Sequence, residues 1–200
     1  RWGVMVCACI LFAIEGYNYL EAPVVNPPLV ISHRGVSNGN GVQNTVESLE
    51  KTAQLKPDLI EMDVQETKDG QFVMMHDANL KGLAGINKTP QDLTLEELKQ
   101  IDIHENGYET KISSFDDYLT RANELHQKLL IEIKTSHKDS PQMMEHFLEK
   151  YGAKIKVYGH QMQSLDYKVI EKVREYDKDI PVYFILPYNS VFPRTVATGY

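Results

Sequence analysis

The chain has 200 residues, of which 42% are hydrophobic and 24% are charged, and its 28 acidic and 21 basic side chains give a net charge of −7. This length and composition indicate one globular domain and exclude a disordered chain. The negative charge argues against a protein that binds nucleic-acid phosphates, because such proteins carry a basic patch. Both cysteines, Cys7 and Cys9, lie near the N-terminus, so the rest of the sequence offers no disulfide framework and no cysteine-based zinc site.

The first predicted element is a uniformly apolar segment at residues 3–14. As a helix it would be about 18 Å long, which is shorter than the ~30 Å hydrocarbon core of a bilayer. A buried helix, the core of a signal peptide and the C-terminal end of a membrane helix all fit this pattern, and we favour the last. We therefore predict the end of a membrane helix at residues 1–16, a proline-containing linker at 17–28 and the main domain at 29–200.

Short apolar runs alternate with amphipathic segments from residue 29 onward. The apolar runs predict strands at residues 29–31, 59–64, 72–75, 129–131, 155–158 and 182–185. The amphipathic segments predict helices at residues 45–56, 93–98, 114–126, 141–151 and 165–176, the second of them with a capping box formed by Thr94 and Glu97. Repeated strand–helix units with buried strands are typical of a parallel α/β sheet.

Two parallel architectures fit this order of elements, an open doubly wound sheet and a TIM-type (β/α)8 barrel. No dinucleotide-type GxGxxG motif follows a predicted strand, which weakens the doubly wound interpretation. About six strands are predicted before Tyr200, so we expect a barrel that is incomplete in this chain.

Ionisable side chains collect at the ends of four predicted strands. They are His33 with Arg34, Glu61 with Asp63, His76 with Asp77, and Glu132 with Lys134. Residues two apart on a strand point to the same face, and the carboxyl ends of barrel strands meet at one rim. Each pair alone has an ordinary explanation as an ion pair or a solvated strand face. Their joint placement favours a functional site, because burying such groups without partners is costly.

The residue types at this rim indicate a chemistry. Three converging carboxylates are typical ligands of Ca²⁺ or Mg²⁺ rather than zinc. Two histidines offer a proton acceptor and a proton donor near neutral pH, and Arg34 and Lys134 can hold an anion. Together these groups suit the cleavage of a phosphate ester. His160 follows the predicted strand at 155–158 and is a weaker candidate for the same rim.

Four stretches of the sequence carry a resemblance to a known family. HRG at residues 33–35, NT at 44–45, EMDVQETKDGQFVMMHD at 61–77 and LLIEIK at 129–134 resemble, in order and spacing, the glycerophosphodiester phosphodiesterase family. Segments such as DLTLEELKQI resemble sequences from the branch of that family in which the catalytic domain follows a membrane domain.

The resemblance implies a TIM-type (β/α)8 barrel and the hydrolysis of glycerophosphodiesters to glycerol 3-phosphate and an alcohol with Ca²⁺ or Mg²⁺ bound. It also implies a role for each rim residue: metal ligation by Glu61, Asp63 and Glu132, general acid–base catalysis by His33 and His76, and phosphate binding by Arg34 and Lys134.

The sequence departs from the family pattern in two places. Gln43 stands where the family usually has Glu in a Glu-Asn-Thr motif, so a carboxylate is replaced by an amide. The family's last strands have no counterpart before Tyr200, so we expect the chain alone to be poorly active.

Three functions fit the sequence: a metal-dependent glycerophosphodiesterase, a phospholipase-type barrel that acts on lipids or glycerophosphate polymers, and a silent module that binds phosphate esters. The first is favoured, with the barrel tethered to a membrane and lying outside the cell. The expected partners are a small-molecule substrate and, through the N-terminal helix, the membrane. No oligomeric state is predicted.

Overall fold

The computed structural model describes Ala13 and residues 28–186. The predicted membrane helix at 1–16 and the predicted linker at 17–28 therefore lie almost entirely outside the described residues. Of the helices in the described part, none combines the length and the apolar character that a membrane crossing demands.

The described residues form eight strands and six α-helices. The strands are β1 (Ile31–Ser32), β2 (Leu59–Glu66), β3 (Phe72–Met74), β4 (Asp102–Glu105), β5 (Tyr108–Lys111), β6 (Leu129–Ile133), β7 (Gln161–Ser164) and β8 (Val182–Phe184). The helices are α1 (Val46–Ala53), α2 (Lys81–Ala84), α3 (Leu95–Leu98), α4 (Phe115–Glu124), α5 (Met143–Tyr158) and α6 (Tyr167–Tyr176).

The main sheet has six strands, in the order β1-β2-β6-β7-β8, with β3 paired to β2. The five strands of the ordered path run parallel, and β3 runs antiparallel to β2. Within residues 28–186 the sheet does not close, because β1 and β8 stand at opposite ends of it. The prediction of an incomplete α/β barrel is therefore confirmed.

The two faces of the central strand β2 differ in polarity. Ile60, Met62 and Val64 alternate with Glu61 and Asp63, and all are buried. The apolar three belong to the core cluster that includes the buried faces of α4, α5 and α6. Because neighbours along a strand point to opposite faces, the two carboxylates face the inner side of the sheet, away from the helices.

Side-chain caps fix where the helices begin. The Thr45 side chain accepts a hydrogen bond from the Ser48 amide at the start of α1, and the Ser114 side chain does the same for the Asp117 amide at α4. Thr94 and Glu97 form the predicted capping box. These helices begin within one or two residues of the predicted positions because the capping side chains are local signals.

The predicted strand at residues 155–158 is wrong, because these residues form the last turn of α5. Ile155 is buried on the inner helix face, whereas Val157 is 78% exposed. The helix ends at Gly159, whose φ of 70° lies in the left-handed region that glycine adopts easily. Tertiary packing of α5 outweighs the strand preference of the β-branched and aromatic residues in this segment.

The hairpin of β4 and β5 is absent from the predicted elements. Asn106 and Gly107 connect the two strands with φ values of 54° and 79°. An Asn-Gly pair between alternating residues is a recognised signal for this type of hairpin. The signal was therefore present in the sequence.

His160 does not line the rim as the weaker prediction proposed. It precedes β7 and lies at the amino end of the sheet, where its Nδ1 accepts a hydrogen bond from the Leu129 amide at 3.1 Å. Its Nε2 lies 2.8 Å from Oδ1 of Asn123. His160 is 1% exposed, and burial lowers its pKa from 6.5 to about 4. The residue therefore belongs to the core as a neutral imidazole.

His160 is expected to make the fold sensitive to acid. Between pH 6.5 and 4 the unfolded chain binds a proton that the folded chain does not, so the free energy of unfolding should fall by about 3 kcal/mol as the pH drops. Denaturant unfolding of the full-length protein at pH 7 and pH 4 measures this loss. The loss should shrink in His160→Gln, and an equal loss in both proteins would contradict the assignment.

Candidate active site

His33 and Arg34 lie in a 3-10 turn that directly follows β1. Arg34 has a φ of 54°, and its amide donates to Oε2 of Glu61 at 2.9 Å. Gly35 follows at φ 67°, and a Cβ there would lie only 2.6 Å from the hydroxyl of Tyr118. This close approach and the positive φ require glycine at this position of the motif.

The three predicted metal ligands come together on the inner face of the sheet. Asp63 on β2 lies opposite Glu132 on β6, and Glu61 lies two residues before Asp63. One carboxylate oxygen of each residue lies within 4.8 Å of the others, and all three side chains are buried. A cluster of buried acidic oxygens of this size matches the ligand chemistry of a hard divalent cation.

The electrostatics of this cluster also fit a cation. Burial and the neighbouring charge of Asp63 raise the pKa of Glu61 to about 7. Three carboxylates meet two permanent cations, Arg34 and Lys134, so the cluster still lacks positive charge. A bound divalent ion would supply that charge and favour the ionised form of Glu61.

Two amide side chains hold the carboxylates in place. Asn44 donates from Nδ2 to Oδ2 of Asp63 at 2.9 Å, and its Oδ1 accepts from the Asp63 amide at 3.0 Å. Gln163 on β7 donates from Nε2 to Oε2 of Glu132 at 3.0 Å. Gln163 was missed in the sequence because its strand, β7, was not predicted; the strand was placed instead at residues 155–158, which are helical.

Lys134 contacts the carboxylates. Its Nζ lies 3.1 Å from Oδ1 of Asp63 and also donates to Glu132. Burial lowers the pKa of Lys134, but the hydrogen bond to Glu132 and the charge of Asp63 outweigh this effect and raise it above its usual value. The predicted contact of Lys134 with phosphate stays a prediction.

His76 reaches the site by a different path from the one predicted. Its strand, β3, is antiparallel to β2 and not one of the parallel barrel strands. The antiparallel pair of β2 and β3 nevertheless brings the end of β3 beside the acidic cluster, since the Met75 amide donates to the carbonyl of Asp63. Gln65 donates to the carbonyls of Met75 and Asp77 at 3.0 and 2.8 Å and so fixes the backbone on either side of His76.

Hydrogen bonds orient the imidazole of His76. Nδ1 lies 2.8 Å from Oδ1 of Asp77, and Nε2 lies 2.8 Å from Nη2 of Arg34. A guanidinium only donates, so Nε2 accepts and Nδ1 carries the proton that bonds to Asp77. This arrangement, in which a carboxylate orients a histidine, is typical of a group that transfers protons.

His33 lies beside Glu61 and is open to solvent. Its side chain is 72% exposed, and its Nε2 lies 3.9 Å from Oε2 of Glu61. Partial burial of the ring and the charge of Arg34 lower its pKa below 6.5. His33 is therefore mostly neutral at pH 7 and able to accept a proton.

The structure thus brings all seven predicted site residues to one rim. No role was predicted from the sequence for the residues that support them, namely Asn44, Gln65 and Gln163. Gln65 could have been found from its spacing, because it lies two residues beyond Asp63 on the same face of β2.

Comparison with known proteins matches most of the chain to a described family. Residues 33–195 match the "Glycerophosphoryl diester phosphodiesterase family". The YhdW protein of Bacillus subtilis (strain 168) is 30% identical over 166 residues, which cover 80% of this chain and 66% of YhdW. Lysophospholipase D GDPD1 of Homo sapiens is 26% identical over 166 residues, which cover 78% of this chain and 51% of that protein.

A solved structure shows the same fold. A phosphodiesterase of Oleispira antarctica in complex with its product sn-glycerol-3-phosphate gives a TM-score of 0.68 at 22% identity, covering 84% of this chain and 68% of that one. The chain spans about two thirds of the length of YhdW and about half of the human relative.

Proposed function

We propose, from the fact that this chain belongs to the glycerophosphoryl diester phosphodiesterase family, that the protein hydrolyses glycerophosphodiesters to glycerol 3-phosphate and an alcohol. The observation that carries this proposal is the single cluster of three buried carboxylates, an arginine and two histidines at one rim of the sheet. The product named for the Oleispira antarctica relative, sn-glycerol-3-phosphate, supports the substrate class.

Glu61, Asp63 and Glu132 would hold the divalent cation, which we propose is Ca²⁺ or Mg²⁺ because every ligand atom is a carboxylate oxygen. When bound, such an ion stabilises the negative charge that develops on the phosphate oxygens. Arg34 adds a second positive charge beside the cluster and would contact the phosphate through its guanidinium.

The two histidines are assigned opposite proton transfers. His33 is neutral at pH 7 and takes a proton from the attacking water as the water oxygen bonds to phosphorus. His76 keeps its Nδ1 proton on Asp77, takes a second proton from solvent at Nε2, and gives that second proton to the alcohol oxygen as the ester bond breaks. This donation requires Arg34 to turn from Nε2 toward the phosphate, which is the contact a bound substrate would favour.

The proposal is tested by incubating the full-length protein with glycerophosphocholine and measuring choline release. We expect turnover with Ca²⁺ or Mg²⁺, loss of turnover after chelation, and recovery when the ion is restored. Glycerophosphocholine binding without turnover in the presence of both ions would overturn the proposal and favour the silent module.

A second candidate substrate is a lysophospholipid, which the name of the human relative favours. Its phosphodiester bond is chemically the same, and the difference is an acyl chain on the glycerol. Parallel assays with glycerophosphocholine and lysophosphatidylcholine distinguish the two substrates through the ratio of their kcat/KM values.

The location of the protein is also proposed: a barrel tethered to a membrane through the apolar residues 3–14 and lying outside the cell. Fractionation of cells, followed by protease treatment of intact cells, tests it. Recovery of the full-length protein in the soluble fraction would contradict it.

A further inference from the structure

The hairpin of β4 and β5 packs beside the active site, although it belongs to a separate two-stranded sheet. Asn106 at its turn donates to the carbonyl of Gly41 at 3.0 Å, and Thr110 donates to Glu47 at 2.8 Å. The ammonium of Lys51 lies 4.3 Å from the ring centre of Tyr108. These contacts fix the hairpin against α1 and the loop that precedes it.

Glu105, at the end of β4, accepts hydrogen bonds from Gln43 with both of its carboxylate oxygens. Gln43 lies in the loop that precedes α1. Oε2 accepts from the backbone amide of Gln43 at 2.8 Å, and Oε1 accepts from its side-chain Nε2 at 2.6 Å. An ionised carboxylate accepts and does not donate, so it determines which way the amide of Gln43 faces. The Nε2 of Gln43 points to the hairpin, and its Oε1 points to the active site.

The oxygen of Gln43 in turn holds the guanidinium of Arg34. Nη1 of Arg34 donates to Oε1 of Gln43 at 3.1 Å, while Nη2 lies 2.8 Å from Nε2 of His76. Gln43 is 8% exposed, so its hydrogen bonds compete little with water. A continuous chain of hydrogen bonds therefore runs from Glu105 through Gln43 and Arg34 to His76.

We propose that Glu105 and Gln43 are positioning residues that hold the guanidinium of Arg34 ready for the phosphate of the substrate. This inference rests on the proposed function, because Arg34 is taken there as the phosphate contact. Neither residue touches the reacting atoms; both act through Arg34.

The amide of Gln43 donates to the carboxylate of Glu105, so exchanging the amide and the carboxylate between the two positions tests the pair. Gln43→Glu would set two carboxylates against each other at the 2.6 Å contact. Glu105→Gln leaves only one acceptor oxygen for the two donors of Gln43, its backbone amide and Nε2. The double exchange, Gln43→Glu with Glu105→Gln, can remake all three hydrogen bonds, since the new amide donates to residue 43 and the new carboxylate accepts from Arg34.

The experiment is a double-mutant cycle on the full-length protein with glycerophosphocholine as substrate. Each single exchange should raise KM ~10-fold or more, with a smaller change in kcat, because a charge-assisted contact with phosphate is misplaced. The double exchange should return KM to within about 3-fold of the wild-type value. Glu109→Gln, on the same hairpin but exposed, is the matched control and should leave KM unchanged.

A role in stability alone gives a different result. In that case the single exchanges lower Tm, but KM of the folded enzyme stays at the wild-type value, and this outcome would overturn the inference. KM values that rise in the single variants but do not recover in the double variant would also overturn it.

A second readout separates this inference from the proposed function. In protein labelled with ¹⁵N-arginine, a held guanidinium gives distinct Nη signals for Arg34, and a freely rotating one gives averaged signals. We expect distinct signals in the wild type and the double variant and averaged signals in the single variants. If the wild type shows no turnover, the proposed function fails, whereas averaged Arg34 signals in the wild type overturn the positioning role alone.

Discussion

Replacing His76 by alanine is expected to lower kcat for glycerophosphocholine at least ~100-fold, because the variant loses the group that we propose protonates the leaving alcohol. The surrounding frame should persist, since Gln65 holds the carbonyls of Met75 and Asp77 without help from the imidazole. Steady-state kinetics of the full-length protein with saturating Ca²⁺ measure the effect. His33→Ala should show a loss of the same order.

The alanine variant also removes the acceptor for Nη2 of Arg34. His76→Gln separates the two effects, because its amide oxygen accepts a hydrogen bond but cannot transfer a proton at neutral pH. The loss in kcat should be the same in both variants. His146→Ala, an exposed residue of α5, is the matched control. Turnover near the wild-type value in either His76 variant would remove His76 from the mechanism.

Replacing Glu61 by glutamine is expected to weaken Ca²⁺ binding ~100-fold, since one of the three proposed carboxylate ligands loses its charge. The amide oxygen that remains can still accept from the backbone of Arg34, so the turn that follows β1 should keep its shape. Titration calorimetry with Ca²⁺ measures the affinity directly. Glu171→Gln, an exposed substitution on α6, is the matched control and should bind Ca²⁺ like the wild type.

The pH dependence of Ca²⁺ binding gives the same residue a second test. The pKa of Glu61 lies near 7 without the ion, so below that pH each ion must displace a proton. The affinity of the wild type should therefore fall up to ~10-fold for each pH unit below 7. The Glu61→Gln variant should lack this dependence, and equal slopes in both proteins would contradict the raised pKa.

The sequence predicted best those features of the site that depend on residues close together in the chain. The alternation of Glu61 and Asp63 with apolar neighbours is local, and it correctly indicated carboxylates on one strand face. The meeting of Glu132 with these carboxylates was expected because parallel barrel strands end at one rim, and the structure adds that Asp63 pairs with Glu132. Both inferences needed only the period of a strand and the rule that barrel strands end at one rim.

The errors lie where packing decides the outcome. Residues 155–158 have the composition of a strand, but α5 continues through them because Ile155 packs into the core. As a result His160 was considered for the rim, although it lies at the opposite end of the sheet. His76 lies at the rim as expected, but the antiparallel strand β3, and not a parallel barrel strand, brings it there.

The sequence could not predict hydrogen-bond partners that lie far apart in the chain. Gln43 stood out as an amide at a position where the family usually has Glu, but its partner Glu105 lies 62 residues away. The hairpin that carries Glu105 was not among the predicted elements. Once the structure places this carboxylate on the amide, the departure at position 43 has a physical explanation.

The most direct test of the site is a crystal structure of the full-length protein with Ca²⁺ and glycerol 3-phosphate. We predict an ion within about 2.6 Å of oxygens from Glu61, Asp63 and Glu132. The phosphate should contact Arg34 and lie between His33 and His76. An ion bound away from these carboxylates, or a phosphate out of reach of both histidines, would contradict the central claim.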